Sequence, residues 1–140
     1  MYNYIFFDFT GECCFTVKVA SLEGYQNSGA QAEDSRIFGF YFQSRGLING
    51  RPHYRSDGGI FGIWYHRTYG WIIGEHSKRG TDNAHAYVPE NTACPNDPGF
   101  TWQYYNNAAN GFYNARYSLS VWCKTTVLTN DALYILRKKK

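Results

Sequence analysis

The sequence predicts an all-β domain, a mostly antiparallel meander or sandwich of short strands that is held by disulfide bonds and contains little helix. Apolar and polar residues alternate in several short segments, and Gly, Asn, Asp and Pro separate those segments. Aromatic residues make up 19% of the chain, which favours strands because rings pack well on a pleated sheet. A chain of 140 residues has the usual size of one domain, so we predict a single domain over residues 1–140.

The first and last strands of the predicted core follow from alternation. Residues 13–19 alternate, so Cys13, Phe15 and Val17 are expected on one apolar face of a strand. Residues 119–123 alternate in the same way near the other end. Further short strands are predicted at residues 38–43, 53–55, 60–66 and 70–74.

The connections between these strands carry explicit turn residues. Asn49-Gly50 suits a tight two-residue hairpin because both residues tolerate a positive φ, and Asp57-Gly58-Gly59 relieves the same steric demand. A third turn is predicted from Arg67 to Gly70. The connection from Glu75 to Asn96 is long and polar, and we interpret it as a surface loop, with a binding loop as the alternative.

The four cysteines, Cys13, Cys14, Cys94 and Cys123, allow three pairings. Adjacent residues of a strand point to opposite faces, and a bond between neighbouring cysteines strains the backbone. Because Cys13 and Cys123 share the apolar faces of their strands, we predict the pairs Cys13–Cys123 and Cys14–Cys94. A zinc site would need paired ligands at short spacing, which the chain lacks, so no metal and no cofactor are expected.

The cysteines and the charge pattern indicate a compartment and exclude some partners. Disulfide bonds point to an oxidising compartment, so we expect a secreted, extracellular protein. Residues 1–9 lack the features of a signal peptide, so the numbered chain would be a mature or trimmed form. No segment approaches the roughly 20 apolar residues of a spanning helix, and no membrane insertion is expected. The basic residues are scattered before the tail at 137–140, so no nucleic acid partner is expected.

Several motifs follow one another along the chain. They are N-G-R-P-H-Y at 49–54, I-W-Y at 63–65, G-W-I-I-G at 70–74, the vicinal Cys13-Cys14 pair, Cys94-Pro95, T-W-Q at 101–103 and V-W-C at 121–123. In these motifs residues 13–123 resemble a small extracellular β-rich domain family of invertebrate multidomain proteins, whose members share N-G-R-P-x-Y and W-x-I-G stretches. The resemblance implies secretion and a modular interaction role, and it carries over no catalytic residue.

The flanks, residues 1–12 and 124–140, lie outside the shared core and look strand-like. If the strands of Cys13 and Cys123 are antiparallel neighbours, the segment with Ile5, Phe7 and Phe9 would run beside the segment with Leu133 and Ile135. The two segments would pair within one chain or, alternatively, between chains, since an exposed apolar strand is a template for β-addition.

An enzyme would need several catalytic groups at a suitable spacing. The sequence shows no such set, so we do not expect an enzyme. His76, Lys78, Arg79 and His85 of the long connection are the residues that a secreted ribonuclease-like toxin would use as acid, base and phosphate clamp. None of the histidines shows the short spacing of a metal pair, and no nucleophile motif accompanies them.

Two binding hypotheses follow from the flanks and the rings. The first is a structural or adhesive extracellular protein that self-associates through its terminal strands or binds another extracellular protein. The alternative is a carbohydrate-binding, lectin-like module that uses exposed rings, and Tyr69, Tyr104 and Tyr105 are the predicted contact residues for a glycan.

Overall fold

The computed structural model of the chain describes residues 13–20, 35–97, 99–106, 111–114 and 119–124. Within these ranges the strands are β1 (Thr16–Ala20), β2 (Gly39–Ile48), β3 (Arg51–Ser56), β4 (Phe61–His66), β5 (Gly70–Glu75), β6 (Ala86–Val88), β7 (Gln103–Asn106), β8 (Gly111–Asn114) and β9 (Ser120–Cys123). Two single 3-10 turns, Ser35–Ile37 and His76–Lys78, are the helical elements of the described part of the chain. The predicted terminal contact residues Ile5, Phe7, Phe9, Leu133 and Ile135 lie outside the described residues.

All the described strands belong to one sheet, whose order is β9-β1-β2-β3-β4-β5-β6-β7-β8. Every neighbouring pair is antiparallel, so β1 to β8 follow chain order as a meander and β9 returns beside β1. The predicted all-β fold class is therefore confirmed. The predicted adjacency of the first and last core strands is also found, because Val121 pairs with Val19 and Cys123 with Val17.

The tight turns form where the sequence predicts them. Ile48 pairs with Arg51 across the two-residue turn Asn49-Gly50, whose φ values are 52° and 81°. Both values lie in the left-handed region that suits a tight hairpin. The Asn49 side-chain amide also donates to the carbonyl oxygen of Tyr65 at 2.8 Å, which ties this turn to the end of β4.

The core covers one face of the sheet, which we call the inner face. Its buried side chains come from strands along the whole sheet and from the connections; the largest are Trp71, Trp102, Tyr41, Tyr54, Phe61, Ile37, Ile63, Ile73 and Leu119. The buried hydroxyl of Tyr41 donates to the Ile37 carbonyl at 2.6 Å, and that of Tyr54 to the Cys14 carbonyl at 2.7 Å, so these phenols do not leave unpaired polar groups in the core. Burial raises the pKa of Tyr54, which stays neutral.

The predicted pairing of the cysteines is wrong, although all four form disulfide bonds. The bonds join Cys13 to Cys94 and Cys14 to Cys123, with Cα separations of 5.3 and 5.7 Å. The prediction extended strand alternation back from Val17 to Cys13, but β1 begins only at Thr16, after a bend. Phe15, expected on the apolar face, is therefore 66% exposed.

Beyond that bend, Cys13 turns into the core and Cys14 faces the last strand. Cys13 is buried, and its Sγ lies 3.0 Å from the carbonyl oxygen of Ala93, beside its partner Cys94. The bond of Cys14 then reaches Cys123 on β9, the direct neighbour of β1. Alternation failed here because it holds only inside a strand.

Candidate binding surfaces on the outer face

The centre of the outer face, the face opposite the core, is closed by part of the long connection after β5. Trp64 and Ile72, a cross-strand pair on this face, are fully buried. The Trp64 indole N–H donates to the Thr81 carbonyl at 2.9 Å. A Cβ at Gly74 would lie 2.8 Å from the Trp64 ring and 2.5 Å from the Asn83 carbonyl oxygen, so only glycine lets ring and loop approach this closely.

The rest of the long connection is fastened to the end of the sheet by Arg51. Its guanidinium donates to the Thr92 carbonyl at 2.6 Å and to the Asn91 side chain at 2.8 Å, and it lies 3.9 Å from the Tyr65 ring centre. The indole N–H of Trp71 also contacts Thr92. The Arg51 of the N-G-R-P motif therefore holds the segment that carries Cys94, which gives the motif a structural role.

The first exposed surface, which we call the tyrosine cluster, lies where β4, β5 and β6 meet. Tyr69 in the β4–β5 turn is 45% exposed, and its ring lies 5.1 Å from that of His66 at a tilt of 32°. The Tyr87 ring meets Tyr69 edge to face at 6.4 Å. Tyr87 pairs with Gln103, and Tyr105 lies on the same face but opposite His85, two residues from Tyr87 on the side away from the β4–β5 turn. The cluster is therefore His66, Tyr69 and Tyr87.

Of the three predicted glycan-contact residues, Tyr69 alone belongs to this cluster within the described ring contacts. Tyr69 and Tyr105 lie on the outer face, while Tyr104 takes the alternate register position opposite the buried Ala86. Tyr87 was missed because the sequence analysis assigned residues 75–96 to one polar connection. The alternation of Ala86, Tyr87 and Val88, with Tyr87 the more exposed residue, was the signal that could have identified this strand.

The second exposed surface, which we call the cationic ring face, covers the outer side of β9, β1, β2 and β3. One cross-strand row runs from Trp122 through Lys18 to Phe40. A second row runs from Lys124, whose backbone N–H donates to Thr16, to Phe42 and then Arg55. The surface therefore consists of Trp122, Lys18, Phe40, Lys124, Phe42 and Arg55.

The rings and cations of this surface contact one another. The ammonium groups of Lys18 and Lys124 lie 5.4 and 5.6 Å from the centre of the Phe40 ring. Phe42 is 39% and Trp122 46% exposed. The basic residues are scattered along the sequence, whereas the strand order brings three of them together.

The residues of the ribonuclease hypothesis are only partly brought together. Arg79 donates to the carbonyl of His76 at 3.1 Å, but the His85 ring packs edge-on against Phe61 and lies 3.9 Å from Glu75. The Nδ1 of His76 is buried and has no hydrogen-bond partner among the residues that the structure describes. Burial first, and then the positive charges of Arg79 and Arg55 and the nearby His53, lower the pKa of His76.

The described residues hold no group of three His, Cys, Asp or Glu side chains that could bind a metal ion. No helix in the described ranges is long and apolar enough to cross a membrane. Comparison with models of known protein families, with curated proteins and with solved structures finds no match to this chain.

Proposed function

We propose that this chain is a non-enzymatic, extracellular binding module that binds a carbohydrate on the tyrosine cluster. The observation that carries this proposal is the exposed Tyr69 ring, which is tilted against His66 and in edge-to-face contact with Tyr87. A tyrosine offers an apolar ring face to a sugar and a hydroxyl for its polar groups. Gln103, paired with Tyr87, adds an amide donor and acceptor.

The rigidity of the surroundings supports this proposal. The cluster lies at the end of the β4–β5 hairpin, and both Thr68 and Tyr69 donate backbone N–H groups to the His66 Nδ1 at 3.1 and 3.3 Å. These bonds hold Tyr69 in place before a ligand arrives, so little conformational entropy is lost on binding. The two disulfide bonds support the oxidising, extracellular setting.

The test is a glycan array with the purified protein, followed by calorimetric titration of the best ligand. We expect Tyr69→Ala to weaken binding about fivefold, since one ring contact contributes about 1 kcal/mol. Phe15→Ala is the matched control, because it removes a ring that is 66% exposed and lies at the start of β1, away from the cluster. An array without a ligand, or equal losses in both variants, would contradict the proposal.

A second candidate function is self-association through the terminal segments. It is favoured by the position of β9, one of the two edge strands of the described sheet. Just after β9, the Lys124 backbone N–H donates to the Thr16 carbonyl of β1 at 2.9 Å. The start of β1 and the end of β9 therefore lie side by side near one edge of the described sheet. Light scattering of the whole chain and of a chain lacking residues 1–12 tests this, and a monomer in both cases would exclude it.

A further inference from the structure

The cationic ring face carries an excess of positive charge. Lys18, Lys124 and Arg55 contribute three positive charges, and none of them lies within ion-pair distance of a described carboxylate. The described carboxylate nearest in register is Asp57, whose backbone N–H donates to the Phe40 carbonyl at 3.0 Å. Asp57 lies in the β3–β4 turn, so it borders the surface and leaves a net positive charge across the four strands.

Cations and rings alternate along this surface. The rows run across the strands, and neighbouring strands lie about 4.8 Å apart, so the path from β9 to β3 is about 15 Å long. Along it, a ligand would meet Trp122, then the ammonium groups beside Phe40, then Phe42 and the guanidinium of Arg55. Arg55 is held in position because its Nε donates to the Gly59 carbonyl at 3.2 Å.

An acidic polysaccharide has the complementary chemistry. Its sulfate or carboxylate groups recur along a linear chain and accept charge-assisted hydrogen bonds from Lys and Arg, while the sugar rings between them present apolar faces to aromatic side chains. The disulfide bonds indicate an oxidising compartment, which favours an extracellular polysaccharide over a nucleic acid as the polyanion.

The geometry points to a binding site for an acidic, sulfated or uronic-acid polysaccharide on the cationic ring face. Lys18, Lys124 and Arg55 bind its acidic groups, and Phe42 and Trp122 contact its sugar rings. This site is separate from the tyrosine cluster, because the closed strip over Trp64 and Ile72 lies between the two surfaces on the sheet.

The test uses the whole chain and a size-defined heparin oligosaccharide at 0.15 M NaCl, with calorimetry and heparin-column elution as readouts. We expect K18Q/K124Q to bind about tenfold more weakly, since two exposed charge contacts are removed. The matched control, R67Q/K78Q, also removes two exposed cations but from the β4–β5 turn and the second 3-10 turn, and it should bind as the parent does. Melting curves establish that both variants fold.

The basic tail at residues 137–140 would also attract a polyanion, so its charges are removed in a variant of their own. In R137Q/K138Q/K139Q/K140Q we expect binding to persist and to remain sensitive to K18Q/K124Q. Equal losses in the face variant and in R67Q/K78Q would show that net charge alone acts, and this would overturn the proposal. Loss of all binding with the tail would do the same.

Two further outcomes would show that something other than an acidic polysaccharide covers the cationic ring face. Tenfold tighter binding of single-stranded RNA than of heparin would overturn the choice of a polysaccharide. Absence of heparin binding, together with a melting temperature several degrees lower in F42S, would show that part of the chain itself covers this face. Tyr69→Ala should leave heparin binding unchanged, and K18Q/K124Q should leave binding to the array-selected glycan unchanged, so the two proposals fail independently.

Discussion

The two disulfide bonds can be removed one at a time, and the structure sets the expected loss of stability. They join residues 81 and 109 positions apart. Because Cys13 and Cys14 are adjacent, however, either bond closes a ring of only about 30 residues when the other is present, the separation of Cys94 from Cys123. In the chain-entropy account C14A/C123A should therefore lower the free energy of unfolding by about 3.5 kcal/mol. C13A/C94A should cost about 1 kcal/mol more, since Cys13 is buried in the core.

Urea denaturation of the oxidised proteins at 25 °C measures both losses. With a slope of about 1.5 kcal/mol per molar urea, a loss of 3.5 kcal/mol shifts the midpoint by about 2 M. If removal of either bond shifted the midpoint by less than about 0.5 M, the assumption that these bonds restrict the unfolded chain would be refuted.

The pairing itself needs variants, because no protease separates the adjacent Cys13 and Cys14. C13A/C94A should show no free thiol in denaturant, since its remaining cysteines are bonded partners. C13A/C123A should show two, because Cys14 and Cys94 have both lost their partners. Two thiols in C13A/C94A with none in C13A/C123A would establish the pairing predicted from the sequence and refute the structural one.

Three further predictions concern the residues that fasten the long connection. In urea denaturation, R51Q should lower the free energy of unfolding by about 2 kcal/mol, because the hydrogen bonds to Thr92 and Asn91 and the stacking on Tyr65 are lost. Stability equal to the parent's would contradict the role of Arg51 in holding the long connection. G74A should lose about 2 kcal/mol through the clash with Trp64 and Asn83, whereas G58A, where a Cβ meets no atom within 4 Å, should change stability by less than about 0.5 kcal/mol. The lowered pKa of His76 means that, as the pH falls below about 6.5, the unfolded chain takes up this proton before the folded one does. Its contribution to stability is therefore present above that pH and is lost below it. H76Q should flatten the dependence of the melting temperature on pH between pH 7.5 and pH 5, and a dependence equal to the parent's would contradict this.

The parts of the fold that depend on local chemistry were predictable from the sequence. Asn49-Gly50 specifies a hairpin by its tolerance of positive φ, and the chain turns there with the expected register. Val17 and Val121 alternate with polar neighbours, and both are buried on the inner face. Such signals act within a few residues, so they do not require knowledge of the rest of the chain.

The cationic ring face could not be predicted from local sequence patterns, because it depends on which strands are neighbours in the sheet. Lys18, Arg55 and Lys124 are far apart in the sequence, and they share a face only because β9 returns beside β1 and the registers of β1, β2 and β3 align them. The cysteine pairing failed at a single bend before β1. Cys13 is buried in the core, as expected, but its partner there is Cys94, and Cys14 reaches Cys123 on β9. Strand alternation does not give the direction of side chains beyond such a bend.

The vicinal cysteines have a mechanical consequence. From Cys13 the shortest covalent path to Lys124 passes through one peptide bond, the Cys14–Cys123 disulfide and one further peptide bond. A pulling force applied to the segments on either side of residues 13–124 would therefore travel along this short path and bypass every strand of the sheet. Under tension the domain would therefore not extend as long as the Cys14–Cys123 bond is intact, and reduction of that bond would make it extensible.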